Sequence, residues 1–279
     1  MCGVGHAFGS PSCTRVPSAA MAVSRRVPEG PDPDPAVQKL RVRYAKRGRM
    51  RFTSTRDFQR ALERAVRRAG LPMAYSGGFH PHPKISYANA APTGAASEAE
   101  YVEISLTREV DPATVGPLLD ASLPEGLDVL DVADAADLPG ALADRLQGSL
   151  WALRFRAGAG VHAAGLQAAV ATFLDREELH VTRMMKKGPR ELDVRSAVLD
   201  LVVVADGTAR DRAELASLPV GDGDVVLLAT VQHTTPTVRP EEIWGALRQV
   251  GGPELPRPVS TRLLQGPLDG RRIASSLGG

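Results

Sequence analysis

Residues 39–70 read KLRVRYAKRGRMRFTSTRDFQRALERAVRRAG, and two periodicities meet inside them. Leu40, Val42 and Tyr44 alternate with Lys39, Arg41 and Arg43, which is the period of a strand with one apolar and one basic face. Met50 and Phe52 repeat the alternation against Arg49 and Arg51, so a hairpin with its turn at Gly48 is expected. From Ser54 the period changes. Ser54 and Asp57 form a capping-box pattern. Phe58, Ala61, Leu62, Ala65, Val66 and Ala69 then make one apolar stripe at helical spacing. Gly70 and Pro72 end the helix. Arg60, Arg64, Arg67 and Arg68 fall outside the stripe.

Working outward, strands are expected over 84–91 and 100–107. A short helix runs from Asp111-Pro112 to about Ala121, and a strand covers 127–132. With the opening strand and helix this is a βαββαβ order. The pattern restarts after 148. Trp151, Leu153 and Phe155 alternate with Arg154 and Arg156, and Leu166, Ala169, Val170, Phe173 and Leu174 form a helical stripe. Strands are expected over 179–185, 192–204 and 225–232, with a polar loop at 207–223. A helix begins at Pro240, where Glu241 and Glu242 meet the positive end of its dipole. The expected fold class is α+β, two ferredoxin-like lobes in tandem. The lobes are 37–133, which is basic, and 149–250, joined by a linker at 134–148. Residues 251–279 read as a Gly/Pro-rich tail in which the last strand is not legible. Residues 1–36, with PDPDP at 31–35, read as a disordered tail, and Met21 is an alternative start.

The bulk composition narrows the function classes. A chain of 279 residues, 43% hydrophobic, suits two domains with real cores. The two cysteines, Cys2 and Cys13, both lie in the tail, so no disulfide framework, zinc ribbon or iron–sulfur site is expected. No apolar run approaches the length of a membrane span, and the N-terminus lacks the apolar core of a signal peptide. A reducing, cytoplasmic setting is the expectation. The chain carries no Walker loop, dinucleotide-binding glycine fingerprint, Gly-x-Ser-x-Gly or His-Glu-x-x-His. No cofactor and no metal is expected.

The net charge of +2 hides an asymmetry. Residues 37–90 hold thirteen Lys/Arg against two acids, and residues 91–150 hold two against twelve acids. A charge run is ordinarily a solvated face. Clustered on one surface, however, Arg41, Arg43, Arg49, Arg51, Arg60 and Arg64 have the character of a phosphate-binding face. All four tyrosines lie in the same lobe, and aromatic planes beside cations suit unpaired bases.

The most unusual local sequence is Tyr75-Ser-Gly-Gly-Phe-His-Pro-His-Pro-Lys84. Ser76, Gly77 and Gly78 are able to turn backbone N–H groups toward an anion, and Lys84 adds a point charge. His80 and His82, two apart, point the same way on an extended chain. Three readings stand: a rigid Pro-bounded loop that packs Phe79 into the core, an RNA- or phosphate-contacting loop that includes Phe79, and a metal site. His80 and His82 are also the candidates for acid–base chemistry. In the second lobe, Arg183, Lys186, Lys187 and Arg190 form a basic hairpin, either solvated or an extension of the phosphate track.

Several blocks together resemble a known family. They are RFTSTRD at 51–57, RALERAVRRA at 60–69, GLPMAYSGGFHPHPKIS at 70–86, GAASEAEY at 94–101, Lys186-Lys187-Gly188, Asp193-Val194-Arg195 and QGPLD at 265–269. The resemblance is to the radical SAM-linked domain of unknown function, over about 37–270. Members occur alone or as the C-terminal partner of cobalamin-binding radical SAM proteins. Stand-alone members tend to be encoded near ribonuclease and ribosomal-protein genes. The resemblance implies RNA modification or processing, with tRNA or rRNA as a partner and a radical SAM enzyme or ribonuclease beside it. The chain departs from the family at Thr55, usually His, and at His80, more commonly Asn. It has no radical SAM cysteines of its own. The expected function is an RNA-binding module that presents tRNA or rRNA to such an enzyme. The alternatives are a metal-independent endoribonuclease on the tandem scaffold and a protein adaptor using the acidic 91–137 surface.

Overall fold

The computed structural model of the chain describes residues 1–3, 33–138, 140–204, 213–252, 254–275 and 277. Most of the expected N-terminal tail and part of the 207–223 loop lie outside these residues. Among these described residues the class is α+β, with six helices and one large mixed sheet.

The first half runs β1 (Gln38–Lys46), α1 (Thr55–Arg68), β2 (Ile85–Ala88), β3 (Ala96–Leu106), α2 (Pro112–Asp120) and β4 (Val129–Asp134). After the short α3 (Leu142–Arg145), the second half runs β5 (Gly148–Phe155), α4 (Ala163–Leu174), β6 (His180–Met185), β7 (Gly188–Asp193), α5 (Val194–Ala197), β8 (Val198–Val204), β9 (Val225–Gln232), α6 (Pro240–Gly251) and β10 (Val259–Gly266). A small hairpin of β11 (Leu268–Asp269) and β12 (Arg272–Ile273) follows.

The helix read from residues 54–70 forms as its caps dictate. Ser54 accepts from the Asp57 N–H at 3.2 Å, and Gly70 takes a positive φ of 64° just beyond the last turn. Phe58, Ala61, Leu62, Ala65 and Val66 are buried against Leu40, Val42, Val102 and Ile104 of the sheet. The expected hairpin at Met50–Phe52 does not form. The β1–β3 ladder ends at Lys46, Gly48 turns the chain at φ 52°, and Gly48–Phe52 coils into a 3₁₀ turn. The expected 192–204 strand is likewise broken. Asp193 accepts from the Arg195 N–H at 3.0 Å and starts α5, so β8 begins only at Val198.

The largest difference concerns the tail after 251. It carries β10, which lies between the halves, parallel to β3 through Thr261↔Ala96 and Arg262↔Ser97 and antiparallel to β5 from Val259↔Arg154 to Gly266↔Gly148. The sheet order is β4-β1-β3-β10-β5-β9-β8, with β2 also paired to β3. The two halves therefore share one eight-stranded sheet. The 134–148 segment is equally structural. Leu142 and Leu146 pack with Ala99, Tyr101 and Leu277 and cover the second face of the first half. Among the described residues, no helix is long and apolar enough to cross a membrane.

Candidate nucleic-acid interface

Part of the charge asymmetry of the sequence is consumed inside the fold. β1 and β3 are antiparallel, so the basic strand lies against the acidic one. Arg41 sits opposite Glu103 in the register and donates to it from Nε at 3.1 Å and from a terminal nitrogen at 2.7 Å. Arg47 holds Glu98, and also Asp128 at 2.7 Å. Arg262 of β10 reaches Glu100. Glu98, Glu100 and Glu103 are all buried. Alternation along β1 predicts an exposed basic face; instead Arg41 is wholly buried, because the 134–148 segment closes over that face. Arg43 is half-buried and donates from Nε to the Glu98 carbonyl at 2.9 Å.

The junction around β10 is the most strongly polar part of the interior. Arg262 also donates to Gln265 Oε1 at 2.9 Å and lies 5.3 Å from the centre of the Trp151 ring. Burial pushes the Glu100 carboxyl up, but the Arg262 guanidinium, Ser97 and the Ala91 N–H outweigh it and hold the group below the usual carboxylate range. Beside this pair stands a group that sequence reasoning misses. His233 Nδ1 lies 2.5 Å from the Leu146 carbonyl and Nε2 lies 2.8 Å from Ser149 Oγ. A carbonyl only accepts, so Nδ1 carries the hydrogen and Nε2 receives the Ser149 hydroxyl. Burial lowers the pKa of His233, which keeps the ring neutral. The pair has the atoms of a nucleophile and a base. Ser149 is fully buried, and the contact ties β5 to the segment after β9.

The sequence-derived candidates separate into distinct places. The loop at Ser76–Lys84 closes on itself: the Ser76 N–H donates to the His82 carbonyl at 2.9 Å, and the His82 N–H donates to Ser76 Oγ at 3.1 Å. Gly77, Gly78, His80, His82 and Lys84 are exposed, and Phe79 is 62% exposed rather than packed into the core. The loop leads into β2, which pairs with the C-terminal end of β3, whereas Arg49 and Arg51 adjoin its N-terminal end, where the Gly94 N–H donates to the Arg51 carbonyl at 2.7 Å. The two groups are therefore at opposite ends of an eleven-residue strand. Arg183 turns inward to Glu242, with an Nε contact of 2.8 Å, and to the Thr237 carbonyl at 2.9 Å. Lys186, Lys187 and Arg190 remain exposed on the β6–β7 hairpin.

What does come together is α1 and the cleft at its head. Arg56, Arg60, Arg64, Arg67 and Arg68 are all exposed, on the side of α1 opposite its buried stripe. Arg49 is exposed just before the helix, and Arg51 lies 4.6 Å over the Phe52 ring. Both Arg51 and Phe52 line a cavity of about 400 Å³ between the halves, together with Arg239, Glu241 and Trp244 of the α6 start and Arg257 before β10. Only Arg49, Arg51, Arg60 and Arg64 of this set follow from the sequence. The contribution of the second half depends on β10, which the Gly/Pro-rich composition conceals.

No curated protein matches the chain. One family profile, described as an uncharacterised protein conserved in bacteria (DUF2344), matches residues 39–240. That span takes in the Ser-Gly-Gly-Phe loop, the arginine helix and both halves of the sheet as far as the start of α6, and the chain belongs to this family.

Proposed function

We propose that the chain is an RNA-binding module that holds tRNA or rRNA for a modifying or processing enzyme. The observation that carries this reading is the arginine row on α1. Arg56, Arg60, Arg64 and Arg68 are spaced i, i+4, and like charges at that spacing cost about 0.2–0.5 kcal/mol per pair. Asp57 and Glu63 are the helix's only acids. Such a row is unfavourable in isolation and favourable against a line of phosphates. At about 1.5 Å per residue the 14-residue helix offers roughly 21 Å of contact.

Each half is read as a ferredoxin-like unit. The strand orders β4-β1-β3-β2 and β10-β5-β9-β8, on βαββαβ connections, support this. The endoribonuclease alternative gains nothing from His80 and His82, since neither imidazole has an orienting hydrogen-bond partner among the described residues. The adaptor reading has one observation in its favour. At the free edge of the sheet Leu118 and Leu130 are exposed, 49% and 37%, beside Asp111, Asp120 and Asp131. A protein such as the radical SAM enzyme implied by the resemblance would dock there.

The test is crosslinking and sequencing of RNA bound to the tagged chain in its own cells, beside an Arg60→Glu/Arg64→Glu control. Both side chains are exposed, and the Arg60–Asp57 pair that is lost is a surface pair at 4.0 Å worth little, so folding is retained. The expected result is enrichment of defined tRNA or rRNA sites, reduced about tenfold or more in the control. Equal recovery from both chains would refute the reading.

A further inference from the structure

We propose that the cleft between the halves holds a single unpaired nucleotide of the bound RNA, its base stacked on the aromatic rings of the cleft wall. The proposal rests on the RNA reading of α1 and specifies which part of the RNA is read. Four features of the cleft carry it. First, its volume of about 400 Å³ is near the lower end of the roughly 300–1,000 Å³ range of small-ligand pockets, room for one nucleotide and not for a duplex. Second, two aromatic rings from different halves, Phe52 and Trp244, line it. Phe52 is 59% exposed, with Arg51 4.6 Å over its ring. Trp244 is fixed in place by its Nε1 donation to the Leu255 carbonyl at 3.1 Å and by Arg248, 5.1 Å over its ring. Bases stack on aromatic planes without regard to sequence, because every base has a π-face.

Third, the wall is cationic. Arg51, Arg239 and Arg257 line it against one acid, Glu241, which pairs with Arg257 at 2.6 Å across side chains 60% and 70% exposed. An exposed pair of this kind is weak and exchanges readily for a phosphate. Arg51 holds its guanidinium over the Phe52 ring, so that charge and ring stand together on the cleft wall. Fourth, the cleft is continuous with the phosphate track. Phe52 ends the 3₁₀ turn three residues before α1, so a strand whose phosphates follow the arginine row meets the cleft at the head of the helix.

The test uses the full chain, a fully paired RNA duplex and the same duplex carrying one unpaired adenosine, with affinities read by fluorescence anisotropy. The expected result is binding of the bulged RNA about tenfold tighter than the duplex, the scale of one stacked base. Phe52→Ala erases that preference, so that the bulged RNA binds no tighter than the duplex. Arg257→Gln, at a side chain 70% exposed, reduces the preference as well. A preference absent from the wild type, or intact in both variants, overturns the cleft proposal while the α1 reading stands. Adenosine monophosphate binding as tightly as the bulged RNA makes the cleft a free-nucleotide site and overturns the proposal too. Failure of both RNAs to bind at low salt overturns the proposal and the RNA reading together.

Discussion

Glu100→Ala lowers the free energy of unfolding by about 3–5 kcal/mol, the scale of removing one partner from a buried ion pair. Glu100 and Arg262 are 1% and 3% exposed, so the guanidinium left behind has no water to turn to. Gln265 and Ser97 satisfy only part of it, at 2.9 and 3.4 Å. The Ala91 N–H also loses its acceptor, 3.0 Å away on Glu100. Glu100→Gln keeps an oxygen and falls between the two. Glu100→Leu/Arg262→Met removes both charges and recovers most of the loss, since a buried pair is often replaceable by apolar groups. Urea denaturation measures all three. The same pair gives stability a pH dependence. Glu100 has a depressed pKa in the folded chain, so its contribution is present above the ordinary carboxylate value of about 4.3 and is lost as pH falls through the lower folded value. Wild type therefore loses stability on acidification more steeply than the Leu/Met double variant.

A chain ending at Pro258 is expected to lose its cooperative unfolding transition. β10 is a central strand, not a terminal appendage. It fills the space between β3 and β5 and buries Thr261, Arg262, Leu263 and Gln265. Without it Glu100 is a buried carboxylate with no cation, and the edges of β3 and β5 present unpaired N–H and C=O groups to other chains. Circular dichroism on heating should register no sigmoidal transition, and the protein should aggregate. A truncated chain that melts within a few degrees of the full one would mean that the two halves fold without their shared strand.

The parts of the fold that were legible carry their own signals. The apolar stripe and cap of α1 lie within 54–70, and 225–232 forms a strand with the expected bounds. β10 was hidden because its neighbours in sequence are Gly and Pro and its partners lie more than a hundred residues away. Local period says nothing about such pairing. The charge blocks misled for a related reason. A basic strand beside an acidic strand reads as two opposite surfaces, but antiparallel pairing interleaves them, and Arg41, Arg47 and Arg262 neutralise Glu103, Glu98 and Glu100. The arginines of α1 stay on the surface because they lie outside the helix's buried stripe, as helical spacing implies, although Arg60 lies 4.0 Å from Asp57 and Arg68 donates to the Ser122 carbonyl. The cleft at the head of α1 was only half legible, since Trp244, Arg239 and Arg257 reach it through tertiary structure.

The most direct test of RNA binding along α1 is the salt dependence of affinity for a structured RNA, measured on the full chain at several salt concentrations. If the four arginines of the row neutralise phosphates, the logarithm of the association constant falls against the logarithm of salt with a slope between about −3 and −4. The Arg60→Glu/Arg64→Glu chain should have a slope shallower by about two. A slope near zero, or the same slope in both chains, would contradict the account and leave the arginine row as a solvated helix face.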